Sequence, residues 1–269
     1  MVEQLVAVVL VAGMVFYARG IERLWSVAGR GRIVGTLQVA AYAGAMAALL
    51  LALEPPLDGA VATNLPWHMV QHVVLLAVVP PLLAASAPLT VWMYALPHAS
   101  RARVQPLWRR ILRSQENEHW LAWTAGAFAL TNLTLAVWHL PVLYDAAVDH
   151  AGLHALEHVS FVATATLFWW MVLGAGRRER RGLGVLGVFI ASLPATALGL
   201  LMTLASTSWY AAYGSSATAV RNQQVAGAIM WGFGGLALVV GAAALFAGWL
   251  AAMDRDDQRA RARAVTGPC

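Results

Sequence analysis

Seven long apolar runs, set so close together that no soluble core fits between them, dominate this chain. They cover residues 4–18, 33–53, 66–85, 120–139, 153–173, 183–205 and 225–252. A helix crossing the hydrocarbon layer needs about 20 apolar residues. In lipid each spanning segment must satisfy its own backbone N–H and C=O groups, which a helix does. The pattern therefore predicts an all-α, polytopic transmembrane bundle of about seven spans. Glu54-Pro55-Pro56 closes the second run and Leu140-Pro141 stops the fourth. Pro80-Pro81 is expected to kink or break the third, with 88–96 continuing it as a second half-helix.

Charged residues make up 12% of the chain and mean hydropathy is +0.64, where a soluble domain carries about 25% charge. All 18 basic residues are arginines, and 17 of them fall on every second connection or in the tail; Arg221 alone does not. The positive-inside rule assigns those connections to the cytoplasm, N-terminus out and C-terminus in. The net charge of +5 and pI near 10 would suggest nucleic acid in a soluble protein. Here the arginines report orientation, and no nucleic-acid partner is expected. Met1-Val-Glu-Gln lacks a positive n-region and the arginines follow the apolar stretch, which suits an uncleaved first span. Residues 1–253 read as one membrane domain, and 254–269 as a charged, frayed cytoplasmic tail. The segment 97–118 reads as a solvated basic connection. Cys269 is the only cysteine, so no intramolecular disulfide or thiolate metal site forms.

The histidines are not scattered. His68 and His72 stand four residues apart at the outer start of the third span, on one helix face. His139 ends the fourth. His150, His154 and His158 enter the fifth from the same side, whereas His98 and His119 lie in the basic connection. Polar groups at membrane depth are costly and tend to mark function. Neutral imidazole ligates transition metals, and thioethers select Cu(I); Met69, Met202 and Met230 fall at similar depth. A single helix histidine more often hydrogen-bonds a carbonyl, and a single methionine more often packs. Two imidazoles from facing helices are the minimum for a shared ion. Glu157 suits an acceptor that fixes a tautomer, an arginine partner, or a group facing an outer water cavity. Asp145 reads as a loop cap. Trp67, Trp138, Trp209 and Tyr210 suggest an outer aromatic belt, and Trp169, Trp170 and Trp249 an inner one.

Several motifs resemble a known family. Trp67-His68-Met69-Val70-Gln71-His72, followed by Pro80-Pro81-Leu82-Leu83 and Ala87-Pro88, is similar to the caa3-type cytochrome c oxidase assembly factors of the multi-span CtaG type. So are Trp138-His139-Leu140-Pro141 with Tyr144-Asp145-Ala146-Ala147, and His154-Ala155-Leu156-Glu157-His158 with Phe161 and Phe168-Trp169-Trp170. Gln223-Gln224, Ala226-Gly227 and Ile229-Met230-Trp231 complete the likeness, which runs from Pro66 to Gly235. The resemblance implies a bacterial plasma-membrane protein, not an enzyme, that helps to mature haem-copper oxidase by delivering copper. Its expected partners are the lipid bilayer, the oxidase subunit bearing the copper centre and a periplasmic copper chaperone. Many relatives are expected to carry an acid just before the paired glutamines; Asn222 stands there in this chain.

Read with the residues, this gives copper, as Cu(I), bound by His68, His72, His139, His154 and His158 with Met69, Met202 and Met230 as softer contacts. Two other readings start from the same residues. Paired histidines on facing spans also ligate b-type haem. The broken third span and the glycines Gly232, Gly234 and Gly235 resemble the interrupted helices of carriers, which would make the protein a copper transporter.

Overall fold

The computed structural model describes residues 2–114, 118–174 and 178–266; Arg177 and Cys269 lie outside them. The described residues contain helices and no strand. α1 is Val2–Ala28, α2 Thr36–Leu53, α3 Leu57–Val61 and α4 Leu65–Val73. A π-helical turn, Val74–Val78, leads into α5, Val79–Ala85. Then follow α6 (Pro88–Ala95), α7 (His98–Ser114), α8 (Trp120–Trp138), α9 (Pro141–Asp149), α10 (Ala151–Leu173), α11 (Arg178–Leu204) and α12 (Ala217–Thr266), with a 3-10 turn at Ala211–Tyr213 before α12.

Six helical segments among the described residues are long and apolar enough to cross a membrane: Thr36–Leu53, Leu65–Ala85, Trp120–Trp138, Ala151–Leu173, Gly182–Leu204 and Ala217–Ala251. The long helix α1 carries the first expected apolar run, 4–18, followed by Arg19, Glu22 and Arg23. Arg23 donates to the carbonyl of Ala95 at 3.0 Å, tying α1 to α6.

The proline pair does not break the third span. The helix widens to the π turn just before Pro80-Pro81, which absorbs the missing N–H donors and the ring clash while the segment continues. The break comes at Ala87, in the left-handed region at φ 48°, so 88–95 is a separate short helix packed on α1. Nor do the glycines interrupt the seventh span, since α12 runs through them without a break. It also carries the charged tail, expected to fray, as helix to Thr266; alanine and arginine are strong helix formers. The basic connection likewise forms a helix, α7. By register, Val104, Leu107 and Trp108 share one side of it and Arg103, Arg109 and Arg110 the other.

The segment Leu65–Ala85 is the centre of the bundle. Its first half packs against α12, and its second half against α10 and α2. α10 also packs on α8, and α11 lies along α12. Without a hydrophobic force between helices in lipid, close contact relies on small residues. A side chain at Gly227 would put its Cβ 2.5 Å from the Gly199 carbonyl oxygen and 2.6 Å from the Thr203 nitrogen. Gly227→Leu is therefore expected to wedge α11 from α12 and lower stability by about 1–3 kcal/mol, seen as a drop in Tm in detergent. An unchanged Tm would mean the two helices can separate freely. Trp169, expected at the inner rim, is instead buried, its ring lying where a side chain at Gly241 would come within 2.6 Å.

Candidate metal centre

α4 starts at a strong cap. The Asn64 side chain accepts from the Trp67 backbone N–H at 3.2 Å, and Pro66 sits in the first turn, where no N–H is needed. This start turns His68 and His72 into the bundle, each 1% exposed. α10 contributes His154, Glu157 and His158 from its second and third turns. Their i, i+3, i+4 spacing gives one face. His139 forms the C-cap of α8 and is buried.

One ligating atom from each of His68, His72, His154, Glu157 and His158 lies within 4.8 Å of every other. With metal–ligand bonds of about 2.0–2.2 Å, donors on opposite sides of one ion stand a little over 4 Å apart. The five atoms thus suit a single cation. Ring centroids are 4.3 Å apart for His68 and His72, 4.1 Å for His154 and His158, and 4.9 Å for His68 and His154. The Nε2 atoms of His68 and His154 face each other at 3.1 Å. His139 stands beside this group, its ring 5.9 Å from that of His72.

The hydrogen-bond inventory is unusual. His139 Nδ1–H donates to the Leu135 carbonyl at 2.8 Å, which leaves Nε2 with a lone pair. That Nε2, the Nε2 of His158, both nitrogens of His72 and both oxygens of Glu157 are buried with no hydrogen-bond partner among the described residues. Glu157 Oε1 and His72 Nε2 approach to 3.4 Å, close enough for ion pairing but not aligned as a hydrogen bond. Each orphaned buried group costs about 1–3 kcal/mol, and folded proteins hold few of them. Several gathered at one point, nearly all able to offer a lone pair, is what a cation site requires.

Three tyrosines close the site. Tyr144 of α9 stacks on Tyr210 with centroids 4.1 Å apart, and it lies 5.0 Å from the His68 ring. Tyr213 Oη lies 2.8 Å from His68 Nδ1 and donates to the Val61 carbonyl at 2.7 Å. Burial pushes all three phenols above the usual tyrosine range, so they stay neutral at ordinary pH. Asp145 does cap a loop: its carboxylate accepts from Ala211 and Ala212 N–H at 3.1 and 3.0 Å. Gln223 steadies the same loop, accepting from Trp209 N–H at 2.6 Å and donating to the Thr207 carbonyl at 3.2 Å.

The structure thus brings His68, His72, His154 and His158 together and sets His139 alongside. His150 stays exposed, with Nδ1 3.2 Å from the Ala146 carbonyl. Met69, Met202 and Met230 are buried in an apolar wall that includes Tyr144 and Phe161, both in contact with histidine rings. Glu157 pairs with no arginine among the described residues and does not face outward: it is fully buried with the imidazoles. Its spacing from His154 and His158 already carried that signal. Tyr210, expected in an aromatic belt, is buried, and nothing in sequence linked Tyr213 to His68, 145 residues away.

A family model described as cytochrome c oxidase caa3 assembly factor (Caa3_CtaG) matches residues 15–252. No curated protein and no solved structure matches the chain.

Proposed function

The chain belongs to the cytochrome c oxidase caa3 assembly factor family, and from that membership we propose that its buried histidine cluster carries copper destined for the oxidase. One observation carries the reading: four imidazoles and a carboxylate from two helices offer ligating atoms within 4.8 Å of one another, and both nitrogens of His72, Nε2 of His158 and both oxygens of Glu157 have no hydrogen-bond partner among the described residues. The donor chemistry fits. Imidazole suits copper, and Cu(I) is satisfied by two to four of the donors present, with Glu157 the one anionic group. The methionines lie in the wall behind the imidazoles, where thioethers favour Cu(I) during exchange.

In this reading the protein is a carrier and assembly factor rather than an enzyme. It spans a bacterial plasma membrane seven times, α1 included, with its N-terminus outside. The arginine-poor end, which holds α3, α9 and the 3-10 turn, faces outward, and the copper site opens there. His154 is the least buried of the four clustered imidazoles, so it is the first or last ligand in an exchange. Copper arrives from a periplasmic chaperone and leaves to the copper-binding oxidase subunit by stepwise ligand replacement. The haem alternative is less well supported, since rings in contact at 4.1–4.9 Å leave no space between them for a macrocycle.

Deleting the gene is expected to leave the oxidase assembled but short of copper, and the wild-type chain should restore the metal. Oxidase purified from the deletion strain with full copper content would refute the proposal.

A further inference from the structure

The bond between Tyr213 and His68 has a fixed direction. A phenol has one proton, and Tyr213 gives it to the Val61 carbonyl at 2.7 Å, because a carbonyl only accepts. The phenol oxygen 2.8 Å from His68 Nδ1 must then accept. His68 accordingly carries its proton on Nδ1 and presents the lone pair of Nε2 inward, toward His154 Nε2.

We propose that Tyr213 is the positioning residue that selects this His68 tautomer and holds the ring ready for the metal. The inference rests on the metal-site reading above and adds to it a residue from a distant loop. Tyr213 ends a 3-10 turn whose N–H groups are held by Asp145. Gly214 follows at φ 80°, a conformation other residues rarely adopt, and it turns the chain away at once. The phenol is thereby fixed between α3 and α4. Partners of this kind, one shell out from the metal, set ring orientation and ligand basicity, and their loss lowers metal affinity by about 10–100-fold.

The test compares purified wild-type protein, Tyr213→Phe and Tyr17→Phe, each titrated with Cu(II) as the probe. Tyr17 is the control, since it belongs to a different apolar cluster and its hydroxyl donates to the Ser86 backbone carbonyl at 3.0 Å. Tyr213→Phe is expected to bind about 10–100-fold more weakly, and Tyr17→Phe within twofold of wild type. Pulsed electron paramagnetic resonance gives a readout that loosened packing alone would not move. The non-coordinating nitrogen of a bound imidazole reports its own hydrogen bond, and one such signal should shift in Tyr213→Phe only. Wild-type affinity together with an unshifted signal in Tyr213→Phe overturns the positioning role and leaves the copper site standing. A wild-type protein that binds no copper overturns the site and this inference together.

Discussion

Replacing His72 and His158 together by alanine is expected to reduce copper in the purified protein from about one ion per chain to background. The two residues come from facing helices, α4 and α10, and their rings lie 5.7 Å apart. His72 has ring contacts to His68, His139 and His158. Losing one donor of five would weaken binding. Losing one from each helix removes the link that lets a single ion bridge them, and binding energy falls with the number of ligands held in place. Cells carrying this variant should show the oxidase defect of a deletion strain. His150→Ala, at an exposed histidine outside the cluster, should retain wild-type copper and support normal oxidase. Metal analysis of the three proteins side by side checks the prediction. If the double variant keeps its copper, the ligand assignment is wrong.

Glu157→Leu is expected to move stability and metal binding in opposite directions. The carboxylate is fully buried, and neither oxygen has a hydrogen-bond partner among the described residues. Without metal such a group is a burden on the fold, about 1–3 kcal/mol for an unsatisfied polar group and more for a charge. An apolar side chain of similar size removes that cost. The metal-free variant should therefore unfold at a higher temperature than the metal-free wild type. With copper the order reverses, because the cluster has lost its carboxylate and affinity falls at least tenfold, in keeping with a stability–function conflict at a binding site. Thermal unfolding with and without copper measures both effects. A variant less stable than wild type in the metal-free state would mean that Glu157 is structurally satisfied and not held for a ligand.

Much of this was legible in the sequence for a simple reason: lipid imposes long apolar helices, and those are the strongest periodic signal a chain carries. Five of the six candidate spans lie within a few residues of the expected runs, as in Leu65–Ala85 against 66–85, while the last, Ala217–Ala251, starts well before the expected 225. The details that escaped are those decided by neighbours. Pro80-Pro81 can break a helix, but a π turn accommodates it here because the segment is packed on three others. The four clustered histidines were visible because helical spacing places each pair on one face. The carboxylate among them was visible by the same spacing, yet its role depended on whether an arginine or a histidine lay opposite. Tyr213 was invisible, since a loop residue 145 positions from its partner leaves no local pattern.

The most direct test of the central claim is X-ray absorption spectroscopy at the copper edge on protein loaded with one equivalent. The account predicts a first shell of nitrogen or oxygen at about 2.0 Å, close to known imidazole–metal bond lengths, with the outer-shell scattering of at least two imidazole rings, and its loss in the His72/His158 double variant. A shell built from sulfur alone, or a spectrum unchanged by removing those two histidines, would contradict it.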